Sequence, residues 1–371
     1  MCGRDPVLIV SASAGAGHGR AGEALKAAFE VAGTPADHID VLGLAPRWVR
    51  VAYGGGFKLL AARAPRIWRG IYVLSDGPAV DAARWGPIAN RILFRAFRRL
   101  LAAGRWRYGL CTHFLPTQLA AGSAGTPPFA LVMTDFTLHR YWVQPRVRDY
   151  FVPVQAAARG IRRRLPRANV TVTGIPVASR FAAVDRASAR ASFGLDQDQP
   201  VVLVMGGGFG LGVDGTAEAA LAAPVAGMHV FAICGGNAAA RLRLEAQAAV
   251  DPRLSVWGHV DDVERFMAAA DVVVTKPGGL TTSEALAVGR PMVVTRPLPG
   301  HEEANARLLV DSGAALAAAD VAEVTAALTR ILDAPAMRAR MADAAALAGR
   351  PHAADRIVRV VQQRLRQRLV A

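Results

Sequence analysis

The stretch Asp271–Asn305, DVVVTKPGGLTTSEALAVGRPMVVTRPLPGHEEAN, decides the fold. Asp271 to Thr275 reads as a buried strand, with three consecutive valines and no helical period. Pro277, Gly278 and Gly279 form a tight turn. Leu280 to Val288 reads as a helix, stopped by Gly289 with Pro291 beyond it. Met292 to Thr295 is the next short strand. Strand, glycine turn, helix and strand in this order make one unit of a parallel α/β sheet. The turn also carries chemistry. The first N–H groups of a helix lack intrahelical acceptors, and those around Gly278, Gly279 and Leu280 converge with the helix dipole on one spot, an anion site. Thr281 and Thr282 add hydroxyls there. Glu284, one turn further, can accept hydrogen bonds from two neighbouring hydroxyls such as a ribose diol. A plain strand–turn–helix crossover has the same spacing, so the residues alone leave both readings open.

The rest of the chain gives room for two domains: 371 residues, 52% apolar. Three scattered cysteines, Cys2, Cys111 and Cys234, show no paired spacing. A disulfide framework and a zinc site are not expected, and a reducing compartment is. No stretch reads as a transmembrane helix, because the longest charge-free run, Tyr108 to Thr134, is broken by Pro116, Pro127 and Pro128. No secretory leader is expected, since Asp5 and Pro6 are followed by a strand of only four apolar residues.

The net charge of +15 is one-sided. Met1 to Ile175 hold 24 Lys and Arg against 9 Asp and Glu, whereas the remainder holds 20 of each. Residues 41–134 contain 13 cations and two acids, Asp76 and Asp81, with Trp48, Tyr53, Phe57, Trp68, Tyr72, Trp85, Phe94, Phe97 and Trp106 set among them. Ile88 to Leu101 reads as an amphipathic helix, with Arg91, Arg95, Arg98 and Arg99 on one side and Ile92, Phe94, Phe97 and Leu101 elsewhere. That pattern predicts an interfacial helix on an anionic membrane; a soluble helix with a solvated basic face is the alternative. Nucleic acid is not expected as a partner, since no nucleic-acid motif is present.

Val7 to Val10 is a buried strand that runs into SASAGAGHGRAGEALKAAF. A helix is expected from about Gly19 to Val31. Residues Gly17 to Gly22 fit GxGxxG with Asp40 downstream, a weak dinucleotide signature, because the strand ends well before Gly17. Tyr108 to Thr112 is a strand with His113 at its carboxyl end, where open sheets gather ligand residues. Phe129 to Thr134 is another, followed by TDFTLHRYW, which places Asp135 and His139 just beyond it. Tyr150 to Pro153 is a strand and Arg159 to Arg167 a basic helix. Val201 to Met205 leads into GGGFGLG, whose Gly207 and Gly208 amides can approach a diphosphate or a sugar. Val230 to Cys234 and Leu254 to Trp257 are further strands. Asp196 and Asp198 form a DxD pair in a polar loop and read as solvated, so no metal site is expected. From Val321 onward the chain reads as helices, and Arg356, Arg359, Arg364, Arg366 and Arg368 make a basic, solvated tail.

KPGGLTTSEALAVGRP with PLPGHEEAN resembles the nucleotide-sugar half of the family containing the lipid II-forming glycosyltransferase of peptidoglycan synthesis. The branch it looks like is that of monogalactosyldiacylglycerol synthases and processive diacylglycerol β-glucosyltransferases. TDFTLHRYW matches that branch's Thr-Asp pair followed by a histidine. The resemblance implies His18, at the end of the Gly15–Gly17 loop, as general base toward the acceptor; a helix N-terminus disfavours imidazolium and suits that role. It implies that Asp135 orients a histidine or contacts the acceptor, with Gly17, His113 and His139 nearby. It implies uracil held by backbone at His259 and Val260, and donor-sugar hydroxyls on His301 and Glu302. The family usually has Gln where His301 stands, which bears on donor choice.

The expected architecture is therefore α/β, two doubly wound Rossmann-like domains facing a cleft, of the GT-B type. Residues 1–176 form an acceptor- and membrane-binding domain and 177–352 a UDP-sugar domain. Residues 353–371 form a basic helix that packs back on the first domain. The expected activity is inverting transfer of glucose or galactose from a UDP-hexose to diacylglycerol, at the inner face of the cell membrane, without a cofactor. Transfer to a polyprenyl-diphosphate sugar, epimerisation of a UDP-sugar, and non-catalytic binding of an anionic surface are the alternatives.

Overall fold

A computed structural model describes residues 6–13, 15–53, 67, 69, 70, 74, 76, 92–120, 123 and 125–370. The chain divides into two compact units. The first is Met1–Ser179 with Leu298–His301 and His352–Ala371; the second is Arg180–Pro297 with Glu302–Pro351.

Unit 1 is built on six parallel strands: β1 (Val7–Ser11), β2 (Ala36–Asp40), β3 (Tyr108–Cys111), β4 (Phe129–Val132), β5 (Asp149–Val152) and β6 (Asn169–Val172). Their order is β2-β1-β3-β4-β5-β6, so the connection reverses direction between β1 and β3. β1, β3 and β5 are buried along their whole length, as apolar runs covered on both faces require. Unit 2 has β7 (Val201–Met205), β8 (His229–Ile233), β9 (Leu254–Trp257), β10 (Val272–Thr275), β11 (Met292–Thr295) and β12 (Ala315–Ala318), ordered β12-β11-β10-β7-β8-β9. All pairs are parallel and the reversal lies between β7 and β10. Open sheets of this kind bind ligands beyond the strand carboxyl ends at such a reversal. At the opposite edge Asp271 anchors the sheet. Its Oδ2 accepts from Val201 N–H (2.9 Å) and Arg190 Nη2 (2.8 Å), and its Oδ1 accepts from Arg186 (2.8 Å). Asp196 and Asp198 lie at that amino edge, just before β7, away from the carboxyl-end loops.

Several expectations change. The first helix spans Ala16–Val31, three residues earlier than Gly19, so Gly17, Gly19 and Gly22 lie inside it and make no phosphate loop. Gly22 serves packing instead: a β-carbon there would stand 2.4 Å from His38 Nε2 on β2. Asp40 holds the β1 loop, accepting from Ser13 N–H (3.0 Å) and Leu42 N–H (3.1 Å). The basic helix after β5 spans Gln155–Arg164.

The interfacial reading of 88–101 does not hold for its described part. The helix Arg95–Ala102 buries Phe97 and Leu101, with Phe94 before it, in the core beneath β1, β3 and β4. Two aromatics meant for a headgroup layer thus fill the protein interior. Ile92 is exposed, while Phe57, Trp68, Tyr72, Asp81, Trp85 and Arg91 lie outside the described residues.

The last helix, Ala353–Val370, belongs to unit 1. Ile357, Val358, Val361 and Leu365 join Val7, Ile9, Tyr108, Leu110 and Phe151 in one apolar cluster. Its arginines are not uniformly solvated. Arg364 pairs with Asp149 at 3.0 Å and lies over the Phe151 ring, and Asp149 also accepts from Tyr108 OH (2.5 Å) and Asn169 Nδ2 (2.9 Å). Among the described residues no helix is long and apolar enough to cross a membrane.

Candidate active site

In unit 1 the reversal brings the loop after β1 beside the loop after β3. His18 sits at the third position of the Ala16–Val31 helix, half-buried, next to Gly17. Its Nδ1 lies 3.0 Å from Thr112 O and 2.8 Å from Thr134 Oγ1. Thr112 Oγ1 donates to His18 O (2.8 Å), and Thr134 Oγ1 lies 3.3 Å from Thr112 O. A carbonyl oxygen only accepts, so Nδ1 carries the hydrogen and the neutral ring has its lone pair on Nε2. That is the tautomer of a general base.

His113 meets His18 edge-on, with ring centroids 4.7 Å apart. Its Nδ1 accepts from Leu115 N–H (3.0 Å) and the residue is 5% exposed. Burial, and secondarily a charge on His18, hold its protonation well below the ordinary range. His113 is thus buried and packs against the His18 ring. His139 is also buried and caps the turn Arg140–Trp142, its Nδ1 accepting from Tyr141 N–H (3.2 Å). Asp135 makes no hydrogen bond or ion pair among the described residues. The orienting partners of His18 are Thr112 and Thr134, not Asp135. The residue that mattered stood one place earlier in TDFTLHRYW, where a hydroxyl drew less notice than a carboxylate.

In unit 2 the ends of four strands, β7, β9, β10 and β11, carry the candidate donor site. After β10 the first intrahelical bond of the helix Gly279–Ala287 runs from Thr282 N–H to Gly278 O (3.1 Å), so the N–H groups of Gly279, Leu280 and Thr281 precede it. Thr282 Oγ1 donates to Gly278 O (2.8 Å) and the side chain is fully buried, so this hydroxyl shapes the turn. Glu284 is 3% exposed. After β7, the loop 206–212 folds on itself through Leu211 N–H to Gly206 O (3.1 Å) and against the next loop through Gly236 N–H to Gly208 O (3.1 Å). Gly207, Gly210 and Gly212 all have left-handed φ, +66°, +59° and +68°.

Two cations flank this loop, and sequence reasoning passed over both. Lys276 Nζ pairs with Glu302 Oε1 at 2.5 Å, and its Cε would stand 3.0 Å from a β-carbon on Gly207. Arg296, after β11, has φ +48°, the one left-handed non-glycine among the described residues. Its Nη1 would stand 2.9 Å from a β-carbon on Gly212, and it forms no ion pair among the described residues. Both follow directly on a β-strand, and that position at a carboxyl edge was the available signal. Asn305 Nδ2 donates to Pro277 O (3.0 Å), tying the HEEAN helix to the turn. His301 begins the helix His301–Asp311. His259 is exposed, two residues past β9, and Val260 is half-buried.

Two doubly wound domains, each with its candidate site at the sheet reversal, define a GT-B glycosyltransferase fold. Solved structures agree on the fold: Acinetobacter baumannii MurG (TM-score 0.60, 16% identity, covering 96% of this chain and 99% of that one) and S. aureus MnaA with UDP (TM-score 0.66, 15% identity, 97% of each). Within that class, residues 18–177 match the family described as Monogalactosyldiacylglycerol (MGDG) synthase, and residues 185–347 match Glycosyl transferases group 1. Similar curated proteins are named processive diacylglycerol beta-glucosyltransferase. The one from Bacillus pumilus is 32% identical over 210 residues, 54% of this chain and 53% of that protein. The one from Bacillus mycoides is 30% identical over 236 residues, 62% and 60%. The chain thus spans about half the length of the curated relatives it matches.

Proposed function

We propose that the protein is an inverting glycosyltransferase that moves a hexose from a UDP-sugar to diacylglycerol at a membrane surface. The observation that carries the reading is the setting of His18, whose Nδ1–H faces Thr112 O and whose lone pair is therefore on Nε2. The acceptor hydroxyl gives its proton to Nε2 while its oxygen bonds to the anomeric carbon, on the face opposite UDP. The bond from that carbon to the β-phosphate oxygen breaks, and UDP leaves with the electron pair. The anomeric configuration inverts. Asp135 contacts the acceptor.

The nucleotide of the donor occupies unit 2. Uracil meets the backbone at His259 and Val260, the ribose diol bonds to Glu284, and the hexose hydroxyls meet His301 and Glu302. The diphosphate lies against the Gly207–Gly208 amides and the Gly279–Thr281 N–H groups, with Lys276 and Arg296 supplying positive charge. Negative charge grows on UDP as the bond breaks, and preorganised donors aimed there lower the barrier. The relatives' names support diacylglycerol as acceptor and glucose as the hexose, with His301 as the position at which galactose is told from glucose.

A membrane location is supported by the +15 charge, concentrated in the first half, and by exposed Trp48 and Val51 beside exposed Arg47 and Arg50 on one short helix. The anionic inner leaflet is the surface this chemistry suits.

Calorimetric titration with UDP tests the donor half. Wild type binds, and Glu284→Gln binds roughly tenfold or more weakly, since hydrogen bonds to a charged group are among the stronger ones. A folded wild type that does not take up UDP overturns the reading.

A further inference from the structure

We infer that Thr134 is a positioning residue for His18, its hydroxyl and the Thr112 carbonyl together doing for the ring what a carboxylate does in a Ser-His-Asp triad. This rests on the reading of His18 as the base. Two oxygens converge on one nitrogen, at 2.8 Å and 3.0 Å. Only one arrangement of hydrogens satisfies all three groups. Nδ1–H is shared between Thr112 O and Thr134 Oγ1, and the Thr134 hydroxyl hydrogen points to Thr112 O at 3.3 Å. The reverse tautomer would set the Nδ1 lone pair against the carbonyl lone pairs at 3.0 Å.

The consequence for the reaction is twofold. The neutral ring is held with Nε2 as acceptor. When Nε2 takes the acceptor proton, the new positive charge is met at Nδ1 by two oxygens that need no reorganisation. A hydroxyl and a carbonyl stabilise this imidazolium less than a carboxylate does, so the proton is returned to solvent more easily after each turnover.

The surroundings fit. Thr134 is buried, at 4% exposure, and follows β4, so its position is set by the sheet. Among the described residues His113 stands edge-on against the ring, and burial keeps it neutral, so it adds no charge as His18 cycles. Asp135, adjacent in sequence to Thr134, is not bonded to the ring, and Asp40 is engaged with Ser13 and Leu42 N–H.

The test uses Thr134→Val, equal in shape without the hydroxyl, and Thr134→Ser, which keeps it. Glycolipid formation is followed from acid to alkaline pH with UDP-glucose and diacylglycerol vesicles. Thr134→Val is expected to lower kcat roughly tenfold, leave the KM for UDP-glucose in place, and move the acid limb to lower pH. Thr134→Ser is expected to stay near wild type in all three. A Val variant with wild-type kcat and acid limb overturns the inference, and so does a Ser variant that falls as far as Val. Nitrogen-15 spectra of histidine-labelled wild type give a second measure that needs no folded Val variant. The His18 signal, assigned by its loss in His18→Gln, should show the Nδ1–H tautomer, and an Nε2–H tautomer overturns the inference. If His18→Gln itself keeps full activity, the failure belongs to the base assignment.

Discussion

Lys276 Nζ and Glu302 Oε1 lie 2.5 Å apart, joining the turn after β10 to the helix that begins at His301. The carboxylate is 3% exposed and the ammonium 22%. Removing the ammonium takes away one of the charges that balance this buried carboxylate. Lys276→Met is expected to cost about 2 kcal/mol of stability and to raise the KM for UDP-sugar. Chemical denaturation and steady-state kinetics measure the two effects, and unchanged stability would show that the pair is solvent-screened.

Gly210 and Gly227 both have left-handed φ, +59° and +68°, but differ in space. A β-carbon on Gly210 would stand 1.9 Å from Cys234 O, whereas one on Gly227 meets nothing within 4 Å. Gly227→Ala should cost about 1 kcal/mol from backbone conformation alone. Gly210→Ala should cost well over that and disturb the loop that faces Lys276. Equal unfolding midpoints for the two variants would refute the packing argument.

Burial is the largest cause of lowered protonation at His38, His113 and His229. The unfolded chain takes up these protons near the ordinary value of 6.5, and the folded chain only at lower pH. The unfolded state therefore binds more protons in that window. Stability is fully present above about 6.5 and is lost as pH falls toward the folded values. Melting temperature should drop between pH 7.5 and pH 5, and His113→Gln should lessen the drop. A melting temperature that is flat or rises on acidification would contradict this.

Asp149 takes bonds from Tyr108 and Asn169 and pairs with Arg364 of the last helix. Arg364→Leu should destabilise unit 1 by roughly 1–3 kcal/mol, because a buried carboxylate loses its cation. Cutting the chain after Pro351 should do more, since it also exposes Ile9, Leu110 and Phe151. Far-UV circular dichroism during urea unfolding reads both. A truncated chain with wild-type stability would show that the helix is dispensable.

Most of the strands that sequence revealed are buried along their length, the edge strand β9 excepted. VVVT at β10 and MVVT at β11 are β-branched runs, each with a proline two residues beyond its end, and no helix competes for them. Two of the sheet edges were silent. ADHID at β2 and ALAA at β12 each pair on one side only, so neither needs a continuous apolar run, and alanine favours helix in isolation. The Phe94–Leu101 pattern misled because an amphipathic helix looks alike whether its apolar side meets lipid or a sheet. The site divides in the same way. The glycine turn at Gly278 is written locally, but the partners of His18 come from 94 and 116 residues away, and only tertiary structure brings them to one nitrogen.

The measurement that bears most directly on the central claim is product analysis. Purified protein is incubated with UDP-glucose or UDP-galactose and vesicles of diacylglycerol in anionic phospholipid, and lipids are resolved by chromatography and mass spectrometry. The account predicts a new β-linked hexosyl-diacylglycerol, lost in His18→Ala while UDP binding is kept. UDP release without glycolipid in the wild type, or glycolipid formed equally well by His18→Ala, would contradict it.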